Sequence, residues 1–118
     1  MARLYNTRKQ AKEACNREGE FAARYAEKAI SYAEQGFVTR AWNCADTAKM
    51  AADCAMTAHD ELWELSKGKL TEAEFEAFEK AEVAQVKARQ AINAAAKAGE
   101  KAQAEFDAQR KNKKVVVA

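Results

Sequence analysis

The sequence predicts an all-α protein: an antiparallel three-helix bundle with alanine-rich seams and a long, overhanging third helix. Three observations predict it. Proline is absent from the 118 residues, while Ala, Glu, Lys, Gln and Arg, all strong helix formers, dominate. Small residues return at steps of three and four along three separate stretches, which is the period of one helical face. Two short breaks divide those stretches, and each holds a glycine, Gly36 or Gly68.

The first helix is expected to start at Thr7, because Thr7 and Gln10 have the spacing of a capping box. It runs to about Gln35 and stops at Gly36, a good left-handed residue, with Phe37 as the apolar closure. Its seam reads Cys15, Gly19, Ala22, Ala26, Ala29, Ala33 and Gly36. The second helix spans Thr39 or Arg40 to Ser66 and ends at Gly68, with the seam Ala41, Cys44, Ala48, Ala51, Ala55, Ala58, Leu62 and Leu65. The third has the clearest start. Thr71 caps it, Glu74 completes the box, and Leu70 can staple onto Phe75. Nothing forbids helix from there to about Lys111 except Gly99, which costs ~1 kcal/mol against alanine. Its seam is Ala77, Ala81, Ala84, Ala88, Ala91, Ala95, Ala98 and Ala102.

Alanine at every seam position brings backbones close, toward the short end of the ~8–10 Å interaxial range. A buried methyl contributes only ~0.8 kcal/mol where a leucine contributes ~1.5–3 kcal/mol. Dense packing and high helix propensity must compensate. Residues 1–112 form a single domain in this reading, and 113–118 a flexible basic and apolar C-terminal tail. The third helix outlasts the others by ~18 Å at 1.5 Å per residue. That overhang keeps the apolar register through Ala102 and Phe106, so packing on a second protomer or a partner is expected, most simply in a symmetric dimer.

The net charge of +2 is too small to argue for nucleic acid. Its distribution is basic, acidic, basic. Residues 41–79 carry three lysines against nine acids, and residues 80–118 carry nine Lys/Arg against four. Antiparallel helices bring Arg3, Arg8, Lys9 and Lys12 to the end that holds Asp60, Glu61, Glu64, Glu72, Glu74, Glu76 and Glu79. Compensation within the chain is the expected use of these charges.

Several chemistries are excluded by spacing. Cys44 and Cys54 fall ~80° apart around a helix and Cys54 and His59 ~140°, so no ligand pair shares a face. No metal and no cofactor is expected. His59 is the only histidine, Ser31 and Ser66 are the only serines, and the four glycines are isolated, so neither a nucleophilic set nor a phosphate loop can be assembled. Three cysteines, Cys15, Cys44 and Cys54, read as reduced core residues. With no apolar run near the ~20 residues of a membrane span and no apolar leader at the start, a cytoplasmic protein without a membrane partner is expected.

If the seams are alanine, the large side chains must sit beside them. Trp42, His59 and Trp63 share a stripe of the second helix with Ala45, Lys49, Ala52 and Met56. Tyr25 and Tyr32 lie on the first helix, and Phe78, Ile92 and Phe106 recur at fourteen-residue steps on the third. Trp42, His59, Trp63, Tyr25, Tyr32, Phe106 and Arg110 are therefore the candidate binding residues. The expected function is a small non-enzymatic helical protein that occupies a protein partner, of the kind phages use as inhibitors of host defence. Two alternatives use the same residues differently. In one, an oligomer sequesters a nucleotide-like ligand, its aromatics stacking the ring while Arg and Lys hold phosphates. In the other, the basic 80–118 segment binds nucleic acid.

Overall fold

A computed structural model describes residues 4–117, with side chains as far as Lys111. It contains α1 (Arg8–Glu34), α2 (Val38–Ser66) and α3 (Glu72–Val117), and each helix packs against the other two. The molecule is a three-helix bundle 71 × 28 × 17 Å in extent, its long dimension set by α3.

Each helix begins and ends for a local reason. Thr7 caps α1, its hydroxyl accepting the Gln10 N–H at 3.1 Å. The return bond goes to Asn6 rather than to Thr7: the Asn6 N–H donates to Gln10 Oε1 at 3.0 Å. At the other end Gly36 is left-handed (φ 83°), the Phe37 N–H donates to Tyr32 O and the Gly36 N–H to Ala33 O. That is the Schellman pattern. The second helix starts at Val38, slightly earlier than the sequence suggests, and ends with Lys67 itself left-handed (φ 56°) ahead of Gly68 (φ 75°). The box of α3 closes as expected, with Thr71 N–H donating to Glu74 Oε1 at 2.9 Å and Glu74 N–H to Thr71 Oγ1 at 3.2 Å.

The core is almost entirely methyl groups. All of its buried apolar residues except Cys15 and Leu62 are alanine. One cluster holds Ala22, Ala26, Ala29, Ala41, Ala48, Ala88 and their neighbours, and a second holds Ala11, Cys15, Ala55, Leu62, Ala77 and Ala81. Gly19 marks a close approach of α1 to α3. A methyl placed there would lie 3.3 Å from the carbonyl oxygen of Lys80.

On α2 the buried face is wider than the predicted seam. Ala45, Ala52 and His59 are buried as well, while Cys44 and Leu65 are only half-buried. The reason is geometric: α2 touches both other helices, and one stripe cannot serve two contacts. Cys54, expected in the core, is exposed for the same reason, since its position turns away from both. The outer seam of α3 also stops short, with Ala98 half-buried and Ala102 exposed. Past Gly99 only the end of α1, at Ala33, Glu34 and Gly36, borders the helix, and the described side chains from Glu100 to Lys111 are exposed. The helix nonetheless continues to Val117, past the predicted end at Lys111. The side chains from Asn112 onward, and with them the expected flexible tail, lie outside the described residues.

Charges join the start of α1 to the α2–α3 turn. Arg8 forms an ion pair with Glu74, with its Nε 2.9 Å from Oε2, and also donates to Lys69 O at 2.9 Å. The backbone N–H groups of Leu4 and Tyr5 donate to the Glu61 carboxylate at 2.6 and 3.1 Å. Along the α1–α3 seam Lys80 meets Glu20 at 2.9 Å and Lys87 meets Glu27 at 3.4 Å. Arg8–Glu74 thus realises the expected compensation between the basic start and the acidic turn, whereas Lys80 and Lys87 pair with glutamates of α1, and Arg3 lies outside the described residues.

Candidate functional site

Among the large side chains excluded from the alanine core, Trp63 and Phe78 meet His59 in one groove. His59, Asp60, Trp63 and Glu64 of α2 and Phe78 of α3 line an open groove of about 560 Å³ near the α2–α3 turn. The helical period puts His59 and Trp63 one turn apart, and Phe78 packs across from both. The imidazole of His59 stacks on the Phe78 ring (centroids 3.6 Å, planes 20° apart), and Trp63 leans on the same ring at 5.8 Å. Trp63 also covers Gly68, where a methyl would lie 3.2 Å from its ring. Half of its surface remains open (50%), whereas His59 is 8% exposed.

Two carboxylates flank the imidazole. Nδ1 lies 2.9 Å from Asp60 Oδ1, and Nε2 lies 3.3 Å from Glu82 Oε2 without hydrogen-bond geometry. Among the described residues, a hydroxyl on the same stretch of α2 and the buried thiol are both otherwise engaged. Ser66 Oγ donates to the Trp63 carbonyl at 3.1 Å, and Cys15 lies elsewhere, in the core, where burial pushes its thiol up to about 11. A thiol held that high stays protonated and unreactive near neutral pH. Among the described residues no group of three or more His, Cys, Asp or Glu side chains could hold a metal ion. The groove presents two aromatic faces, a rim of carboxylates and a rigid helical floor.

The other predicted site residues do not converge on it. Trp42 lies seventeen residues before His59 on the same helix, about 25 Å away along the axis. It packs over Gly99 at the far end of the bundle, its Nε1 3.9 Å from the position of a methyl there. Near it, Tyr32 meets Phe37 edge-on at 6.3 Å, and Arg40 lies over both rings. Tyr25 pairs with Phe21 at 4.7 Å, with Lys28 4.8 Å from its ring. Phe106 and Arg110 sit on the extension of α3, the guanidinium 6.0 Å from the ring. One copy therefore assembles no single aromatic cage from these residues.

The sequence reading missed Asp60 and Glu82 as neighbours of His59. A signal existed for Glu82, since it lies four residues after Phe78 and shares its helical face. No helix among the described residues is long and apolar enough to cross a membrane. Comparison with protein-family models, curated proteins and solved structures gives no match to this chain.

Proposed function

We propose that this protein is a non-enzymatic binding protein that acts by occupying a protein partner through the His59–Trp63–Phe78 groove. One observation carries the reading: the core is alanine, and the large apolar side chains stand outside it. Trp63, Phe37, Phe75, Met50 and Phe106 are all substantially exposed. Scattered exposed side chains are ordinary, but Trp63 is half open beside Phe78 in one groove, and aromatic residues are enriched at interface centres. Trp63 is the natural anchor, being large, rigidly backed by Phe78 and Gly68, and open on its other face.

Native mass spectrometry of the protein purified from its own cells tests this. A second polypeptide should be retained at fixed stoichiometry by the wild type. Trp63→Ala should lose it while keeping its helicity and melting temperature. If a nucleotide-sized adduct appears in place of a polypeptide, or if Trp63→Ala retains the partner fully, the reading fails.

A further inference from the structure

We infer that the extension of α3 is a self-association surface, on which a second copy of this chain lies antiparallel along the line that α2 occupies within the bundle. The stripe of α3 that faces α2 recurs every seven residues: Phe78, Gln85, Ile92, Gly99, Phe106. From Phe78 to Gly99, α2 covers it. Phe78 lies under His59 and Trp63, Gln85 Nε2 approaches Asp53 Oδ1 at 3.5 Å, and Ile92 shares a small cleft with Lys49. At Gly99 the cover is Val38 and Trp42, whose atoms would lie 3.7 and 3.9 Å from a methyl there. Val38 is the first residue of α2. Two helical turns further on, within ~20° of the same direction, comes Phe106, and there α2 has ended. The ring is 55% exposed, and every described residue from Glu100 to Lys111 is exposed.

The missing cover must therefore be a helix that continues the line of α2, which runs antiparallel to α3. A second copy supplies one. From Gly99 to Lys111, where side chains are described, the extension is about 18 Å long, enough for three turns against its counterpart. Its charges are divided along that length. Residues 99–107 hold Glu100, Glu105 and Asp107 with one cation, Lys101, while residues 108–111 hold Arg110 and Lys111 with no acid. Antiparallel apposition sets the basic half of each copy against the acidic half of the other. Parallel apposition sets like against like. The midpoint of 99–111 falls at Glu105, beside Phe106, so the two phenyl rings meet near the two-fold axis of an isologous contact. A few turns of one helix per copy make a small interface, no larger than the ~1,000 Å² expected of specific association, so the dimer should be weak and concentration-dependent.

Sedimentation equilibrium of the full chain tests the arrangement. The wild type should pass from monomer to dimer as its concentration rises through the micromolar range, and Phe106→Asp should remain monomeric with unchanged circular dichroism. Two charge-reversed variants, Glu100→Lys with Glu105→Lys and Arg110→Glu with Lys111→Glu, should each be monomeric alone. Mixed in equal amounts they should form a heterodimer. A wild type that stays monomeric throughout, a Phe106→Asp that dimerises as the wild type does, or a mixture that fails to associate would each overturn the inference. None of these readouts involves Trp63, so the groove and the extension stand or fall separately.

Discussion

Ala88→Leu is expected to destabilise the bundle by about 1–3 kcal/mol, because most of the added carbons meet alanines packed from all three helices and only a small cleft beside Lys49, Gln85 and Ile92 is open to them. Ala88 is buried between α3 and the other two helices, in the cluster that contains Ala22, Ala26, Ala29, Ala41 and Ala48. None of these neighbours has a rotamer to yield. A leucine-rich core absorbs an overlarge residue partly by repacking side chains, whereas here relief requires moving a backbone. Ala104→Leu and Ala108→Leu make the same chemical change on the exposed extension and should leave the melting temperature of the bundle nearly unchanged. Thermal and urea melts followed by circular dichroism compare all three. Equal tolerance at the three positions would mean that the helices are not held at methyl distance.

Glu74→Ala should cost about 2 kcal/mol at neutral pH, and that cost should shrink in acid. The carboxylate is nearly buried, completes the α3 capping box with Thr71, and is bound by Arg8. The Arg8 guanidinium and the Thr71 bonds outweigh the burial and hold the Glu74 carboxyl at about 2, against an ordinary 4.5. The folded-state value is depressed, so the stabilisation is complete above the unfolded value near 4.5 and is lost as pH falls from there toward 2. Wild type and Glu74→Ala should therefore differ most in denaturation midpoint at pH 5–7 and converge near pH 2. Glu20, lowered by its bond to Lys80, shifts in the same direction in both proteins and cancels from the comparison. Arg8→Ala should flatten the same acid limb while sparing the Thr71 cap. A midpoint difference that does not change with pH would remove the ion pair from the account.

Much of the fold was legible because local chemistry and tertiary packing agree here. The Thr71–Glu74 box and the left-handed Gly36 are decided within a few residues, and the structure keeps both. The alanine period of α3 was legible for the same reason, since a helix this rich in good formers needs no long-range help to choose its state. What failed was anything set by a second neighbour. The burial of Ala45 and Ala52 and the exposure of Cys54 follow from α2 touching two helices at once, and a single-stripe reading cannot register that. The groove was half legible. His59 and Trp63 share a face in the sequence, but Phe78 stacks on them from another helix, and Trp42 shares their stripe while lying at the far end of the molecule.

The methyl core also sets how this protein should respond to temperature. The heat-capacity change of unfolding follows the apolar surface newly exposed to water, with typical domains near ~12–15 cal/mol/K per residue. A core in which Leu62 and Cys15 are the largest fully buried side chains uncovers much less than one built of leucine and phenylalanine. The heat-capacity increment should fall below that range, and the curve of stability against temperature should be correspondingly flat. Calorimetry across several pH values would read the increment directly, and a value at or above the usual range would mean that the large outer side chains are buried after all. With a flat curve, modest stability extends over a wide span of temperature and cold unfolding recedes well below freezing, so the bundle trades a high peak for breadth.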